Sequence, residues 1–289
     1  MNILAVIPAR AGSKGIPNKN IRLINGKPLI YYSINNAKKS KYITDIIVST
    51  DSPEIFIIAN QMNVALHKRN ENLCEDSITL DAVIYDALQQ NSKKYDYVVT
   101  MQPTSPTLNV ESLDKAIEKC IKENFDTVIS VINKPHLSWT KNSDGAIIPN
   151  YTERLNRQYL PPCYMETGAF VISKTNVITE KTRIGKKVNV FEISENEAVD
   201  IDTFGDLQTV NSILKQQKVA IYTNGNTSRG LGHIYRTLEL ADEFYIKPDI
   251  YYDINQTDKA VFGSTTHNLI DINGIGELLS ILNKEHYNI

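Results

Sequence analysis

The sequence predicts an α/β protein with a doubly wound, mostly parallel sheet, an inserted arm near its middle and a smaller second unit at its C-terminal end. Three observations lead there. Short apolar, β-branched runs alternate with helix-like stretches, and each run opens into a polar or proline-rich loop. After residue 217 a fresh strand, glycine loop and helix begin. A chain of 289 residues with 42% hydrophobic content has room for one full domain and a smaller unit.

Residues 2–7 form a short apolar run closed by Pro8, the pattern of a buried parallel strand. Residues 45–49, 97–101 and 127–131 repeat it. Between them, 29–37, 53–61, 80–88 and 110–121 carry helical apolar spacing, with Ser52 and Asn109 placed as caps. From 133 to 165 the regularity lapses into Pro, Asn, Tyr and Arg, which marks the arm. Strand-like segments at 169–173 and 188–193 return to the sheet, and Asp202 or Thr203 can cap a last helix running to about residue 216. In the second unit a strand at 219–222 precedes a helix at 234–244.

Composition excludes several classes of protein. The three cysteines lie far apart with no CxxC pair, which argues against a disulfide framework or a zinc knuckle. His67, His136, His267 and His286 lack metal-ligand spacing and read as structural. No apolar run approaches a membrane span, and the opening strand is too short and uncharged for a signal peptide, so a cytoplasmic protein with no membrane partner is expected. Residues 1–44 hold eight Lys and Arg and no Asp or Glu. That segment is +8, and since the chain totals −2 the remainder carries −10. A local positive cluster of this kind suits a small polyanion rather than nucleic acid.

In an open α/β sheet, ligands sit beyond the carboxyl ends of the strands, so the loops at 8–20, 50–52 and 102–108 should meet at one site. The first reads PARAGSKGIPNKN. Gly12 and Gly15 let backbone approach a ligand, and Arg10, Lys14 and Lys19 bring charge, a combination suited to phosphates; the alternative is a glycine turn with solvated cations. Asp200 and Asp202, one residue apart, either offer two hard oxygens to one Mg2+ or cap the helix that follows. Gln102 before Pro103 and Pro106 is either a ligand contact or a strand-ending turn, and Asp51 is either a helix cap or a wall of the site.

PARAGSKGIPNKN strongly resembles the opening motif of CMP-sialate synthetases, the acylneuraminate cytidylyltransferases. IIVSTD (46–51), QPTSP (102–106) and DIDTFGDL (200–207) agree with that family in order, over residues 1 to about 217. The resemblance implies a nucleotide-diphospho-sugar transferase fold and CMP transfer from CTP to a sialic-acid-like nonulosonic acid, with Mg2+ held by Asp200 and Asp202. It implies that Arg10, Ala11, Gly12, Ser13, Lys14 and Asn20 contact CTP, and that Lys19, Arg10 and Asp202 act in catalysis. Arg69 and Asp76, in RNENLCED, would shape the nucleotide pocket. Gln102, Arg157, Gln158, Glu166 and Thr167 would face the sugar, and the 133–165 arm would form a homodimer in which Arg157 reaches the neighbouring site. Leu108 and Glu166 depart from the family pattern, so a diamino nonulosonic acid is expected to be handled better than N-acetylneuraminic acid. The alternatives are an enzyme for the eight-carbon ketosugar of lipopolysaccharide and a non-catalytic nucleotide-binding scaffold.

Residues 225–244, GNTSRGLGHIYRTLELADEF, resemble the first glycine loop and helix of the UDP-sugar hydrolase of pseudaminic acid synthesis. That resemblance assigns His233 to water and places Arg236 nearby. With the sequence ending at Ile289, only part of a two-domain hydrolase is expected from 218–289, and no hydrolase activity.

Overall fold

The computed structural model describes residues 1–12, 15–215, 219–228, 230–244 and 247–284. The chain divides into two compact units, Met1–Leu214 and Lys215–Ile289. In the first unit the order is β1 (Ile3–Pro8), a hairpin of β2 (Leu23–Ile24) and β3 (Lys27–Pro28), α1 (Leu29–Lys39), β4 (Asp45–Thr50), α2 (Pro53–Gln61) and β5 (Ala65–Lys68). There follow α3 (Leu80–Gln89), β6 (Tyr97–Met101), α4 (Val110–Lys122), β7 (Thr127–Asn133), an arm hairpin of β8 (Trp139–Lys141) and β9 (Ile147–Pro149), β10 (Tyr164–Lys174), β11 (Val188–Glu192) and α5 (Phe204–Lys215).

The seven-stranded sheet runs β11-β7-β10-β6-β1-β4-β5, parallel except for β10, which is antiparallel to both neighbours. From β1 the chain steps outward through β4 and β5, then crosses back to lay β6 on the other side of β1. The strand order therefore reverses at the β1–β6 border, where such sheets open a ligand crevice. All six residues of β1 are buried because both faces are covered. Ile3, Ala5 and Ile7 pack with α1, α2 and α4 in the main core, while Leu4 and Val6 meet Ile84, Ala87 and Leu88 of α3.

The caps follow the sequence: the Ser52 hydroxyl accepts the Ile55 N–H at 3.3 Å and Asn109 accepts the Glu111 N–H at 3.0 Å. At α5 Thr203, rather than Asp202, forms the cap. Its hydroxyl accepts the Asp206 N–H at 3.3 Å, and the Asp206 carboxylate accepts the N–H groups of Asp202 and Thr203 in return, a reciprocal capping box. Strand β5 escapes the pattern because it is a short edge strand with a mixed burial pattern. The arm is shorter than its sequence limits: Lys134 N–H donates to the Cys163 carbonyl, and Tyr164 and Met165 already pair with Asn133 and Ile132 as the start of β10.

A third cluster decides where the site forms. Ile16 from the first loop, Ile24, Leu29, and Ile201, Leu207 and Val210 from the end of the unit are buried together. Fully buried, Ile201 faces away from its neighbours Asp200 and Asp202, and its N–H donates to the Thr104 carbonyl at 2.9 Å. Two parts of the chain remote in sequence are thereby fixed side by side.

The second unit is a parallel three-stranded sheet, in the order β12 (Ala220–Tyr222), β13 (Asp249–Asp253) and β14 (Asn268–Ile272), with α6 (Gly232–Glu243) and α7 (Ile275–Lys284). Ile234, Ala241, Ile250, Tyr252 and Phe262 form one core cluster, and Tyr251, Ile272 and Leu278 another. Among the described residues no helix is long and apolar enough to cross a membrane.

Ile201→Ala should lower stability by about 2–5 kcal/mol, the usual range for emptying a buried large aliphatic site, and should loosen the pairing of the two remote segments. Denaturant unfolding checks this; a change below about 0.5 kcal/mol would mean that the contact is not packed as described.

Candidate active site

The first loop is tied down at its root. Ala9 N–H donates to the Ser49 carbonyl at 2.9 Å, Ala11 N–H to Asp51 Oδ1 at 2.7 Å, and the Asn20 amide to the Arg10 carbonyl at 3.1 Å. Ser52 caps α2, which frees the Asp51 carboxylate for that loop contact. Gly12 sits at φ 71°, in the left-handed region open to glycine. Gly15 is constrained differently: a Cβ there would lie 2.8 Å from the Asp202 carbonyl oxygen, so any side chain would push two backbones apart.

Three cations converge on the crevice beyond β1 and β6. Arg10 donates to the Cys74 carbonyl at 3.0 Å and to Asp76 Oδ1 at 2.5 Å. Lys19 Nζ donates to the Ile201 carbonyl at 2.6 Å and lies 3.2 Å from Asp202 Oδ1. Arg69, buried to 5% exposure, donates from Nε to the Ser49 hydroxyl at 3.3 Å and from Nη2 to the Ser49 carbonyl at 3.0 Å. A cleft of about 290 Å³ is lined by these three residues with Gly15, Asn20, Gln102, Thr104 and Asp202. The Lys19 side chain is 14% exposed but its carboxylate partner is 76% exposed. An ion pair this open is worth roughly 0–1 kcal/mol, so an anionic ligand can replace the carboxylate at little cost.

Asp200 lies beside Asp202 with its Oδ1 buried and without a hydrogen-bond partner. Burial pushes its pKa up, the Asp202 charge adds to the rise, and the nearby Thr104 hydroxyl and Lys19 oppose it. A buried carboxylate oxygen lacking a donor, next to a second carboxylate, is a donor set that fits a hard divalent cation. Among the described residues no group of three or more His, Cys, Asp or Glu is placed to hold a metal ion, so a cation at this pair would take its further ligands from water or a bound ligand, the habit of Mg2+.

The raised pKa has a consequence for stability. The folded protein binds the Asp200 proton more tightly than the unfolded chain does, so this group's stabilising contribution is full below the unfolded pKa and is lost as pH rises through the folded value. Asp200→Asn should therefore raise Tm of the chelator-treated protein at pH 7, with the gain vanishing below about pH 3.5. A lower Tm at pH 7 would show that the carboxylate is satisfied.

Other residues singled out by sequence take different positions. Ala11 and Gly12 line a small hollow beside the cleft with Asn18, Asn20 and Ser52. Ser13 and Lys14 lie outside the described residues. Asp76 reaches the site through Arg10. The side chain of Gln102 lies against Gly168, whose φ of 73° sits within the register break of β10; a Cβ there would be 2.9 Å from Gln102 Nε2. Thr167 is buried, its hydroxyl 2.9 Å from Ser130 Oγ. Leu108 is buried in the main core and does not line the cleft. Arg157, Gln158 and Glu166 are exposed, the first two on the arm, and none lines the cleft of its own chain. Thr104 does line it. Its place between two prolines in QPTSP was the signal available for it. In the second unit His233 is exposed, with Nδ1 3.2 Å from Arg236 Nη2.

Comparison with known proteins places this cleft in context. A family model described as Cytidylyltransferase matches residues 4–198. The post-translational flagellin modification protein B of Campylobacter coli is 30% identical over 75% of this chain and 97% of its own length. The pseudaminic acid cytidylyltransferase of Campylobacter jejuni is 32% identical over 74% and 97%. N-acylneuraminate cytidylyltransferase A of Danio rerio is also 32% identical, over 70% of this chain, which spans only about half (48%) of that longer protein. A solved structure of CMP:2-keto-3-deoxy-manno-octonic acid synthetase complexed with CTP superposes with a TM-score of 0.57 over 74% of this chain and 98% of that one; at 14% identity this shows the shared fold. On the family match and the near-complete coverage of the bacterial relatives, the chain belongs to the CMP-sialate and nonulosonic-acid cytidylyltransferase family and is a nucleotidyltransferase.

Proposed function

We propose that the chain transfers CMP from CTP to the anomeric hydroxyl of a nonulosonic acid and releases pyrophosphate. The observation that carries this reading is the convergence of Arg10, Lys19 and Arg69 with Gln102 and Asp202 on one cleft at the strand-order reversal. The sugar hydroxyl attacks the α-phosphorus as the bond to the bridging oxygen breaks; pyrophosphate leaves and the hydroxyl proton is released. Lys19 exchanges Asp202 for a phosphate oxygen, and Arg10 exchanges Asp76. At about 4 Å and an effective dielectric near 20, each cation–phosphate pair is worth roughly 4 kcal/mol before desolvation is subtracted. Asp200 and Asp202 would hold Mg2+, which when bound neutralises triphosphate charge. No covalent nucleophile is required. A cytoplasmic location, with access to CTP, fits this activity.

The remaining assignments form part of the same reading. Residues 1–217 carry the transfer, and 218–289 form a hydrolase-like unit that takes no part in it. A diamino nonulosonic acid is preferred over N-acetylneuraminic acid; with Leu108 buried in the core, that preference rests on exposed Glu166. A second copy of the chain covers the arm, which exposes Trp139, Ile147 and Tyr159, and brings Arg157 and Gln158 to the neighbouring cleft.

Pyrophosphate release with CTP, Mg2+ and a panel of sugars tests the activity. Release is expected with a nonulosonic acid, more from a diamino sugar than from N-acetylneuraminic acid, and should survive truncation after residue 217. Lys19→Ala should lower kcat more than it raises the KM for CTP, and Arg10→Ala should do the reverse. Release with the eight-carbon ketosugar alone, or with no sugar, would contradict the assignment.

Light scattering tests the arm. The chain should have twice its monomer mass, and Ile147→Asp, at a position already 65% exposed, should yield a folded monomer that binds CTP but no longer forms CMP-sugar. A monomeric wild type with full activity would refute the shared site.

A further inference from the structure

Strands β4 and β5 place Ser49 opposite His67, and both side chains are buried. His67 Nδ1 lies 2.9 Å from Ser49 Oγ, and Nε2 lies 2.9 Å from Asp86 Oδ2 on α3. Ser49 in turn meets Arg69 twice, through its hydroxyl at Nε and its carbonyl at Nη2. Four residues, from β4, β5, the loop after β5 and α3, thus form one continuous chain.

The ends of that chain fix its direction. A guanidinium only donates, and a carboxylate only accepts. Ser49 Oγ must therefore accept from Arg69 Nε and turn its own hydrogen to His67 Nδ1, which leaves the ring proton on Nε2 facing Asp86. A protonated ring would instead aim a second donor at Ser49 and leave the buried hydroxyl hydrogen without an acceptor. The surroundings favour the neutral ring: burial pushes the His67 pKa down and the Arg69 charge adds to that, against the pull of Asp86. Beyond Arg69 stand Cys74, Asp51 and Arg10.

We infer that Asp86, His67 and Ser49 form a positioning relay that fixes one edge of the Arg69 guanidinium and so presents Arg69 to the nucleotide. The relay rests on the reading of the cleft as the CTP site. Nε and Nη2 are both held by Ser49, and Nη1 makes no hydrogen bond among the described residues, although Arg69 lines the cleft. His67 sits in an edge strand and lines no part of the cleft, so its influence on substrate must pass through Arg69.

Nitrogen NMR of the ligand-free protein and calorimetric titration with CTP and Mg2+ test the relay together. The expected spectrum shows His67 protonated at Nε2 only, and an Arg69 Nε–H in slow exchange that becomes fast in Ser49→Ala and His67→Leu. Those two variants should bind CTP about tenfold more weakly, the size of one hydrogen bond to a charged group, with kcat at saturating CTP within about twofold of wild type. His67→Asn, which keeps an acceptor at the position of Nδ1, should recover most of the affinity. Ser49→Ala removes a single oxygen and guards against misfolding of the His67 variants. A proton on Nδ1, or wild-type CTP affinity in both Ser49→Ala and His67→Leu, would overturn the relay. If the wild type does not bind CTP, the cleft reading fails instead, and the tautomer and the Arg69 exchange rate still decide the relay.

Discussion

The site depends on one long-range contact, between Lys19 and the Ile201–Asp202 backbone and carboxylate, which joins residues 182 and 183 positions apart. Its charge part is weak because Asp202 is open to solvent. What holds the two segments is the packing beneath, where Ile16 and Ile201 share a buried cluster, and the close backbone approach that only a glycine at position 15 allows. Apolar burial supplies the affinity between segments, and the polar groups above it remain free to exchange partners. That separation of roles lets a cleft be rigid in shape and still accept a highly charged ligand.

The charged groups of the same cleft sit in partnerships that are open to exchange. Asp200 has a buried oxygen without a donor, and Arg10 and Lys19 rest on carboxylates that the proposed reading has a triphosphate displace. A site satisfied internally would have no reason to bind phosphate or metal. Here the groups are paired well enough to stay ordered and poorly enough to favour exchange.

Much of this was legible in the sequence, for reasons tied to particular residues. Fully buried parallel strands such as β1 and β6 read as unbroken apolar runs, and Ser52 and Asn109 announced their helices because capping is a local interaction. That Arg10 and Lys19 line one cleft was legible because they are cations in a glycine-containing loop at a strand end, where the fold opens its crevice. What escaped depends on contacts between distant segments. The reversed direction of β10 depends on the arm, which returns the chain beside β7 so that the two strands pair antiparallel. The pairing of the buried Thr167 hydroxyl with Ser130, at the register break of β10, is one such contact. His67 gave no spacing signal at all, since its partners come from β4 and α3. Arg157 and Gln158 lie exposed on the arm, away from the cleft of their own chain.

The most direct measurement is a crystal structure with CTP and Mn2+, whose anomalous signal locates the metal independently of the nucleotide. The triphosphate is predicted to lie against Arg10 and Lys19 with the Lys19–Asp202 pair opened, and the metal peak to fall between Asp200 and Asp202. Nucleotide bound elsewhere, or bound in the cleft with that ion pair intact and no metal at Asp200, would contradict the role assigned to this site.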